Sequence, residues 1–292
     1  MCCAESKGKK EMINRYKLNR YIKNITSYTL LGFFVAFAVF PILYIILSSF
    51  KDPLSLWSYP PKIFSGKLTL EHYLHIAKEF PSLFHGLKNS IIITFGSLLL
   101  TLILSFASAF AFSRYKSKFL QVPVLFLIII RMFAPIIITI PLYPVLASIG
   151  LVDNHFTLIV INCAFSISLA TFLMKAFIDD VPIELEESAM IDGCSKLNAF
   201  LKITLPLVSP GIAAVTIFVA VGIWNEYVFA YIFSSSAAIT APVVIATIRS
   251  DVMGVNWGGL FAACIIQLMP MLILVIIAHK YLVKGIQTGA IK

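Results

Sequence analysis

Long runs of apolar residues without charge dominate the chain, and short polar segments separate them. Six such runs cover residues 25–50, 89–113, 132–152, 156–174, 203–225 and 252–279. Each reaches the roughly 18–20 residues that an α-helix needs to cross a bilayer. Inside lipid every backbone N–H and C=O group must find a partner within the protein, and a helix provides these partners by itself. The pattern therefore predicts an all-α membrane protein with six transmembrane helices.

Two of these helices are expected to extend beyond their uncharged runs. The third begins near Phe119 and carries Arg131 inside it, and the fifth continues past Glu226 to about Phe233. Pro41 lies within the first helix and is expected to kink it, because proline removes a backbone donor.

Composition and charge support this class and set an orientation. Hydrophobic residues make up 59% of the 292 positions and charged residues only 13%, whereas about a quarter of an ordinary globular protein is charged. Lys and Arg concentrate at both ends of the chain and after the second and fourth runs, and such segments stay in the cytoplasm. The net charge of +9 follows from this topology, so nucleic-acid binding is not expected.

The predicted organisation has three parts. They are a cytoplasmic N-terminal tail (1–24), a six-helix transmembrane domain (25–281) with an external segment (51–88) and a cytoplasmic loop (179–206), and a cytoplasmic C-terminal tail (282–292).

The cytoplasmic loop is a polar island between the fourth and fifth apolar runs. Pro182 can open a helix there because its missing N–H falls where donors have no intrahelical partner, and the acidic residues that follow suit the positive end of a helix. Gly193 ends this helix, since glycine tolerates a positive φ. A second short helix is expected over about 195–201. The island therefore predicts a helix–glycine–helix elbow at the membrane surface.

The island also carries a motif of several fixed points. It reads Glu187-Ser188-Ala189, then Asp192-Gly193, then Ile203-Thr204-Leu205-Pro206. This resembles the cytoplasmic signature loop of binding-protein-dependent ABC importer permeases, with Ser188 where alanine is usual. Segments 68–73, 141–143 and 150–151 and the C-terminal Gly-Ala pair resemble the carbohydrate-uptake branch, in particular the smaller permease subunit of maltose-type importers. The alternative interpretation is a plain acidic connector between two helices.

The resemblance implies an ABC importer (type I) permease fold and a transport subunit that is not an enzyme and moves a carbohydrate. It also implies partners: a second permease subunit, an extracellular or periplasmic solute-binding protein, the lipid of a prokaryotic cell (inner) membrane, and two ATPase subunits that bind ATP and Mg. The chain itself has no phosphate-binding loop, and no cofactor is expected in it. The residues expected to couple to the ATPases are Glu184, Glu187, Ser188, Ala189, Asp192, Gly193, Leu205 and Pro206. The tail residues expected to face the ATPases are Gln287, Thr288 and Gly289, with a frayed terminus as the alternative.

Two charges at membrane depth suggest a translocation pathway. A charge at the bilayer centre costs roughly 2.5–3.5 kcal/mol, so Arg131 and Glu226 are expected to face the bundle or a wet cavity. Trp224, Asn225 and Tyr227 flank Glu226 and suit stacking on and hydrogen bonding to a sugar ring. An ion pair that only packs the helices together is the alternative, and Asp153 is a competing partner for Arg131.

A different class of function also remains open. An ion-coupled secondary transporter could use Arg131 and Glu226 as a charge pair, although it leaves the elbow unexplained. The five cysteines form no CxxC pair, so neither a zinc site nor a disulfide framework is expected.

Overall fold

Helices account for the regular secondary structure of the described chain, apart from an isolated antiparallel bridge between Lys51 and Leu68. The computed structural model describes the backbone of residues 2–56, 58–59, 68–115, 118–248 and 256–289, and side chains from residue 23 onward within these ranges except at 118, 121, 279 and 281–289. The helices are α1 (Cys2–Ser49), α2 (Pro53–Leu56), α3 (Glu71–Glu79), α4 (Pro81–Arg114), α5 (Lys118–Met132), α6 (Pro135–Ser148), α7 (His155–Asp179), α8 (Ile183–Ile191), α9 (Lys196–Ala199), a π-helical turn (Phe200–Thr204), α10 (Leu205–Leu207), α11 (Ser209–Trp224), α12 (Val228–Phe233), α13 (Ala241–Thr247) and α14 (Trp257–Gly289).

The described residues contain between four and six candidate membrane-spanning segments. Four single helices are long and apolar enough to cross a bilayer, and they are Lys23–Ser49, Pro81–Arg114, His155–Asp179 and Trp257–Ala278. Two bent helix pairs supply the others, Val122–Met132 with Pro135–Ser148 and Lys196–Leu207 with Ser209–Trp224. Counting each bent pair as one span gives the six segments that the sequence predicts, in an all-α fold.

The third segment differs from the continuous helix expected through Arg131. Helix α5 ends at Met132 and α6 begins at Pro135, with a bend of 98° between them. The residue before a proline is pushed out of the α region, and Ala134 accordingly has an extended ψ of 139°. The expectation of one unbroken helix was therefore wrong at this point.

The fifth segment is likewise broken, although the sequence predicts one helix to about Phe233. Helices α10 and α11 meet at a bend of 72°, and α11 ends at Trp224 before α12 begins at Val228. In the gap, the carboxylate of Glu226 accepts hydrogen bonds from the backbone N–H groups of Phe229 (2.7 Å) and Ala230 (3.1 Å). A side chain that binds nearby backbone groups competes with continuation of the helix.

The chain divides into two compact units, residues 1–72 and 73–292. In the first unit α1 begins at Cys2, so its helical backbone includes the residues that polarity assigns to an N-terminal tail. Pro41 lies inside this helix, and the apolar side chains of its span are exposed. The isolated bridge is accompanied by a contact of 2.9 Å between the His72 ring Nε2 and the backbone oxygen of Lys51.

In the second unit α4 packs against α7, α11 and α13. Small hydroxyl-bearing residues form much of its buried face, and they are Ser90, Thr94, Ser97, Thr101 and Ser105. Large apolar residues at four-residue spacing form its exposed face, and they are Ile91, Phe95, Leu99 and Ile103. Small residues let membrane helices approach closely, while lipid solvates the apolar side chains. The packing of α4 is thus that of a membrane helix.

A turn between α6 and α7 holds the loop that follows α12. Asp153 has a φ of 60°, and its carboxylate accepts hydrogen bonds from four successive backbone N–H groups, those of residues 235–238, at 2.9–3.2 Å. Burial raises the pKa of this carboxyl, but the four donors outweigh that effect and hold its pKa well below the usual range. The Asp153 carboxylate therefore binds the backbone of this loop, and among the described residues it makes no ion pair with Arg131.

Candidate functional site

The polar island of residues 179–206, called the elbow below, folds as two short helical pieces on either side of Gly193. Pro182 occupies the position before the first turn of α8, as the sequence predicts. Gly193 has a φ of +92°, and two backbone bonds close the turn, Gly193 N–H to Met190 O (3.1 Å) and Cys194 N–H to Ala189 O (3.0 Å). The predicted positive φ at Gly193 is present, while the second helix is shorter than expected and passes into the π-helical turn.

The inner face of the elbow is attached to the end of α4. Arg114 and Glu186 form an ion pair at 2.9 Å with both side chains about nine-tenths buried. Arg114 also donates to Val181 O at 3.0 Å, and the hydroxyl of Thr204 donates to Glu186 Oε1 at 2.6 Å. The aromatic ring of Phe200 lies 4.0 Å from that of Phe110, centroid to centroid. These contacts fix the elbow onto a helix that is distant from it in sequence.

The outer face of the elbow exposes acidic and apolar side chains together. Glu184, Glu187 and Asp192 are exposed beside Ile191, which is 87% exposed, and Leu197, which is 65% exposed. This combination of exposed acidic and apolar side chains makes the outer face a candidate surface for contact with another protein.

The residues predicted to couple divide between the two faces. Ala189 is buried and Leu205 is half-buried, whereas the other six are exposed, namely Glu184, Glu187, Ser188, Asp192, Gly193 and Pro206. Sequence reasoning missed Glu186 and its partner Arg114. The available signal was the spacing, since Glu186 and buried Ala189 lie three residues apart and so share one face of α8.

A second candidate region is a cavity of about 170 Å³ among the membrane helices. Its lining includes Arg131, Asn162, Ser166, Glu226 and the rings of Phe165, Phe218 and Phe229. Arg131 and Glu226 thus reach the same cavity, as the pathway prediction requires. They form no ion pair within the described residues, because the Glu226 carboxylate binds the first turn of α12 instead.

Trp224, Asn225 and Tyr227, which flank Glu226 in the sequence, do not line this cavity and make other contacts. Trp224 is buried and its Nε1 donates to Gln267 O of α14 at 3.2 Å. Asn225 donates to Val221 O on its own helix, and Tyr227 stacks on Tyr231 with centroids 5.3 Å apart. None of the three lines the cavity.

For the remaining predicted residues the structure describes the backbone alone. Helix α14 runs to Gly289 and includes Gln287 and Thr288, whose side chains lie outside the described ones. Within the described part of the chain, no three His, Cys, Asp or Glu side chains gather closely enough to hold a metal ion.

Comparison with known proteins identifies relatives over nearly the whole chain. A family described as "Binding-protein-dependent transport system inner membrane component" matches residues 100–288. The inner membrane ABC transporter permease protein YcjP of Escherichia coli (strain K12) is 29% identical over 94% of this chain and 98% of its own length. The trehalose/maltose transport system permease protein MalG of Thermococcus litoralis is 31% identical over 87% of this chain and 91% of its own.

A solved structure has the same fold. It is a bacterial ABC transporter involved in the import of the acidic polysaccharide alginate, which superposes with a TM-score of 0.73 at 21% identity, over 89% of this chain and 96% of that chain. The fold of this chain therefore agrees with that of the alginate transporter chain over most of its length.

Proposed function

We propose, since this chain belongs to the family of binding-protein-dependent transport system inner membrane components, that it is the permease subunit of an ATP-driven carbohydrate importer. The observation that carries this proposal is the elbow, where the family's signature loop presents an acidic and apolar surface around Gly193. The chain lacks a nucleotide-binding loop of its own. Energy therefore comes from ATPase subunits that hold ATP and Mg and dock on this surface.

The chemistry of the elbow defines what its partner offers. Ile191 and Leu197 need an apolar groove, and Glu184, Glu187 and Asp192 need a basic rim. The tail that includes Gln287, Thr288 and Gly289 reaches toward the same ATPases. This arrangement requires both termini and the elbow on the cytoplasmic side, as the distribution of Lys and Arg indicates.

The cavity around Arg131 supports a role in the substrate path and a second permease subunit. Arg131 is exposed on this chain, and a charge facing lipid costs roughly 2.5–3.5 kcal/mol. A second permease subunit removes this cost by covering the cavity and enclosing a polar passage. Phenylalanine rings beside Asn162 and Ser166 suit a sugar, whose ring has apolar faces and a rim of hydroxyl groups.

Relatives support carbohydrate as the substrate class. Their names include a trehalose/maltose, a galactooligosaccharide and a diacetylchitobiose system, and one related structure was solved with an alginate pentasaccharide-bound periplasmic protein. A solute-binding protein that delivers the sugar is accordingly a further partner.

Co-purification tests the docking. The tagged chain is expressed in its host membrane, and the ATPase that is retained on it during purification is quantified. Retention that falls when Ile191→Glu disrupts the exposed apolar surface supports the proposal. Full retention with this variant, or no retention by the wild-type chain, contradicts it. The ligand of the cognate binding protein tests the substrate class, and a tight amino-acid or metal ligand would overturn carbohydrate.

The alternative of an ion-coupled transporter predicts uptake by the chain alone. Its main support was a charge pair between Arg131 and Glu226, and no such pair forms within the described residues. Vesicles that contain only this chain and an imposed ion gradient decide the question.

A further inference from the structure

The contacts beneath the elbow converge on one carboxylate oxygen. Arg114 Nε and Nη2 both lie 2.9 Å from Glu186 Oε1, and the Thr204 hydroxyl donates to that same atom at 2.6 Å. A single atom thus joins three segments, the last residue of α4, the first turn of α8 and the end of the π-helical turn. We call this group the clasp.

The burial of the clasp makes it sensitive to loss of one member. The side chains of Arg114 and Glu186 are only 10% and 9% exposed. A buried ion pair balances its desolvation only when its other hydrogen-bonding groups are satisfied. On Arg114 they are satisfied, since it also donates to Val181 O at 3.0 Å and to the Ser113 hydroxyl at 3.3 Å. Removing either charge therefore leaves the other buried without its partner.

Aromatic packing reinforces the clasp. Phe200 opens the π-helical turn, and its ring lies 4.8 Å from that of Phe106 and 4.0 Å from that of Phe110, both on α4. Thr204 closes the turn and is fully buried. π-Helical turns are rare and are frequent at functional sites. This turn directs Phe200 toward α4 and Thr204 toward Glu186 of α8.

The attachment of the elbow to α4 is not dictated by chain connectivity. The elbow is covalently joined to α7 and α11, whereas Arg114 and Glu186 are 72 residues apart. Helix α4 has 34 residues, about 51 Å at 1.5 Å per residue. Near its other end Asn89 donates to Ala237 O (2.9 Å) and Ile239 O (2.8 Å). A displacement given to α4 therefore reaches a loop at the opposite end of the helix.

We infer that Arg114, Glu186 and Thr204 are positioning residues that fasten the elbow to α4, so that a displacement of the elbow moves α4. The inference rests on the proposed docking of an ATPase on the outer face of the elbow. Without the clasp, the ATPase still docks, because its binding surface lies on the other face. The elbow then moves without carrying α4, and ATP hydrolysis loses its response to the binding protein.

The test uses the complete complex in proteoliposomes: this chain, the second permease, the ATPase, and the binding protein as isolated with its natural ligand. Two quantities are measured, the ATPase retained on the chain and the factor by which the binding protein stimulates phosphate release. Arg114→Met and Glu186→Gln should lower the stimulation about tenfold or more, because loss of one partner strands a buried charge. The double variant should be no worse than the more affected single variant.

Two further variants separate positioning from folding. Thr204→Val removes only one hydrogen bond to a charged group and should lower stimulation several-fold, and Thr204→Ser should restore it. The control is Lys175→Met, which removes the pair between Lys175 and Asp179, whose side chains are 33% and 43% exposed. Exposed pairs contribute little, so stimulation should stay within about twofold of wild type.

The outcomes distinguish the clasp from the docking. If the wild-type chain retains no ATPase, the proposed function fails. If the ATPase is retained and all the clasp variants are stimulated like Lys175→Met, the clasp inference alone is wrong. It is also wrong if stimulation falls only in proportion to lost ATPase. Should Arg114→Met not reach the membrane, Thr204→Val decides.

Discussion

Replacing Gly193 by alanine tests whether the geometry of the elbow is what the ATPase recognises. A Cβ built on Gly193 meets no atom within 4 Å, so the substitution introduces no clash within this chain. The cost arises from the backbone alone, because φ is +92°. A left-handed conformation costs an L-residue with a Cβ roughly 1–2 kcal/mol. The elbow must either carry this strain or change shape.

The expected result is weaker docking. If the free elbow of the variant relaxes and the bound elbow needs this turn, the strain appears in the binding free energy, and 1–2 kcal/mol corresponds to about a 5- to 30-fold loss of affinity. The measurement is equilibrium binding of the purified ATPase to the permease complex in nanodiscs. Gly193→Asn should lose less than Gly193→Ala, because asparagine visits the left-handed region more readily.

Gly150 supplies the matched control. It has a φ of +70°, and a Cβ there also meets no atom within 4 Å, but it lies in the turn before Asp153 and outside the elbow. Gly150→Ala should lower thermal stability more than Gly193→Ala, because the free elbow relaxes from the strained turn, and it should leave the ATPase affinity unchanged. The reasoning is refuted if Gly193→Ala binds as tightly as wild type while both variants are equally destabilised, or if Gly150→Ala weakens docking to the same degree.

Three other predictions concern the rest of the molecule. Asp153→Asn should lower the free energy of unfolding by about 1.5–3 kcal/mol in thermal unfolding, since charged hydrogen bonds are lost. Because the pKa of Asp153 is lower in the folded state, its contribution to the free energy of unfolding should be constant from about pH 7 to 5. That contribution should decline only as the pH falls below about 4. If the cavity is part of the path, Glu226→Gln and Arg131→Met should each keep the complex assembled and lower uptake, and normal uptake by both would exclude these charges from the path. Deletion of residues 287–292 should lower transport more than assembly, and equal effects on the two would favour a frayed terminus.

The sequence was sufficient where a single local rule decides the structure. Runs of apolar residues long enough for a bilayer predict the spans, since a helix satisfies its own backbone groups in lipid. Pro182 and Gly193 mark the start and end of α8 through their own φ preferences. The positive φ of Gly193 and the exposed acids Glu184 and Glu187 follow from the same local pattern.

The breaks within the third and fifth spans and the partners of individual side chains were not predictable from such a local rule. Hydropathy alone treats residues 119–148 as one helix, and it contains no term for the effect of Pro135 on Ala134 at the 98° bend. Glu226 was expected to meet Arg131, but its carboxylate instead accepts hydrogen bonds from backbone N–H groups three and four residues later, in α12.

Adjacent acids posed the same difficulty. Glu186 and Glu187 are alike in sequence, yet one is buried against Arg114 and the other is exposed. Spacing places Glu186 on the same face of α8 as Ala189, but the tertiary position of α4 makes that face the buried one.

The most direct test of the account is uptake by the reconstituted complex. Proteoliposomes contain this chain, the second permease and the ATPase, and they receive the binding protein together with the radiolabelled carbohydrate that it is found to bind. The account predicts accumulation only when ATP and Mg are present on the ATPase side and the binding protein on the opposite side, with none when any one component is omitted. Accumulation by this chain alone under an ion gradient, without ATP, would contradict it.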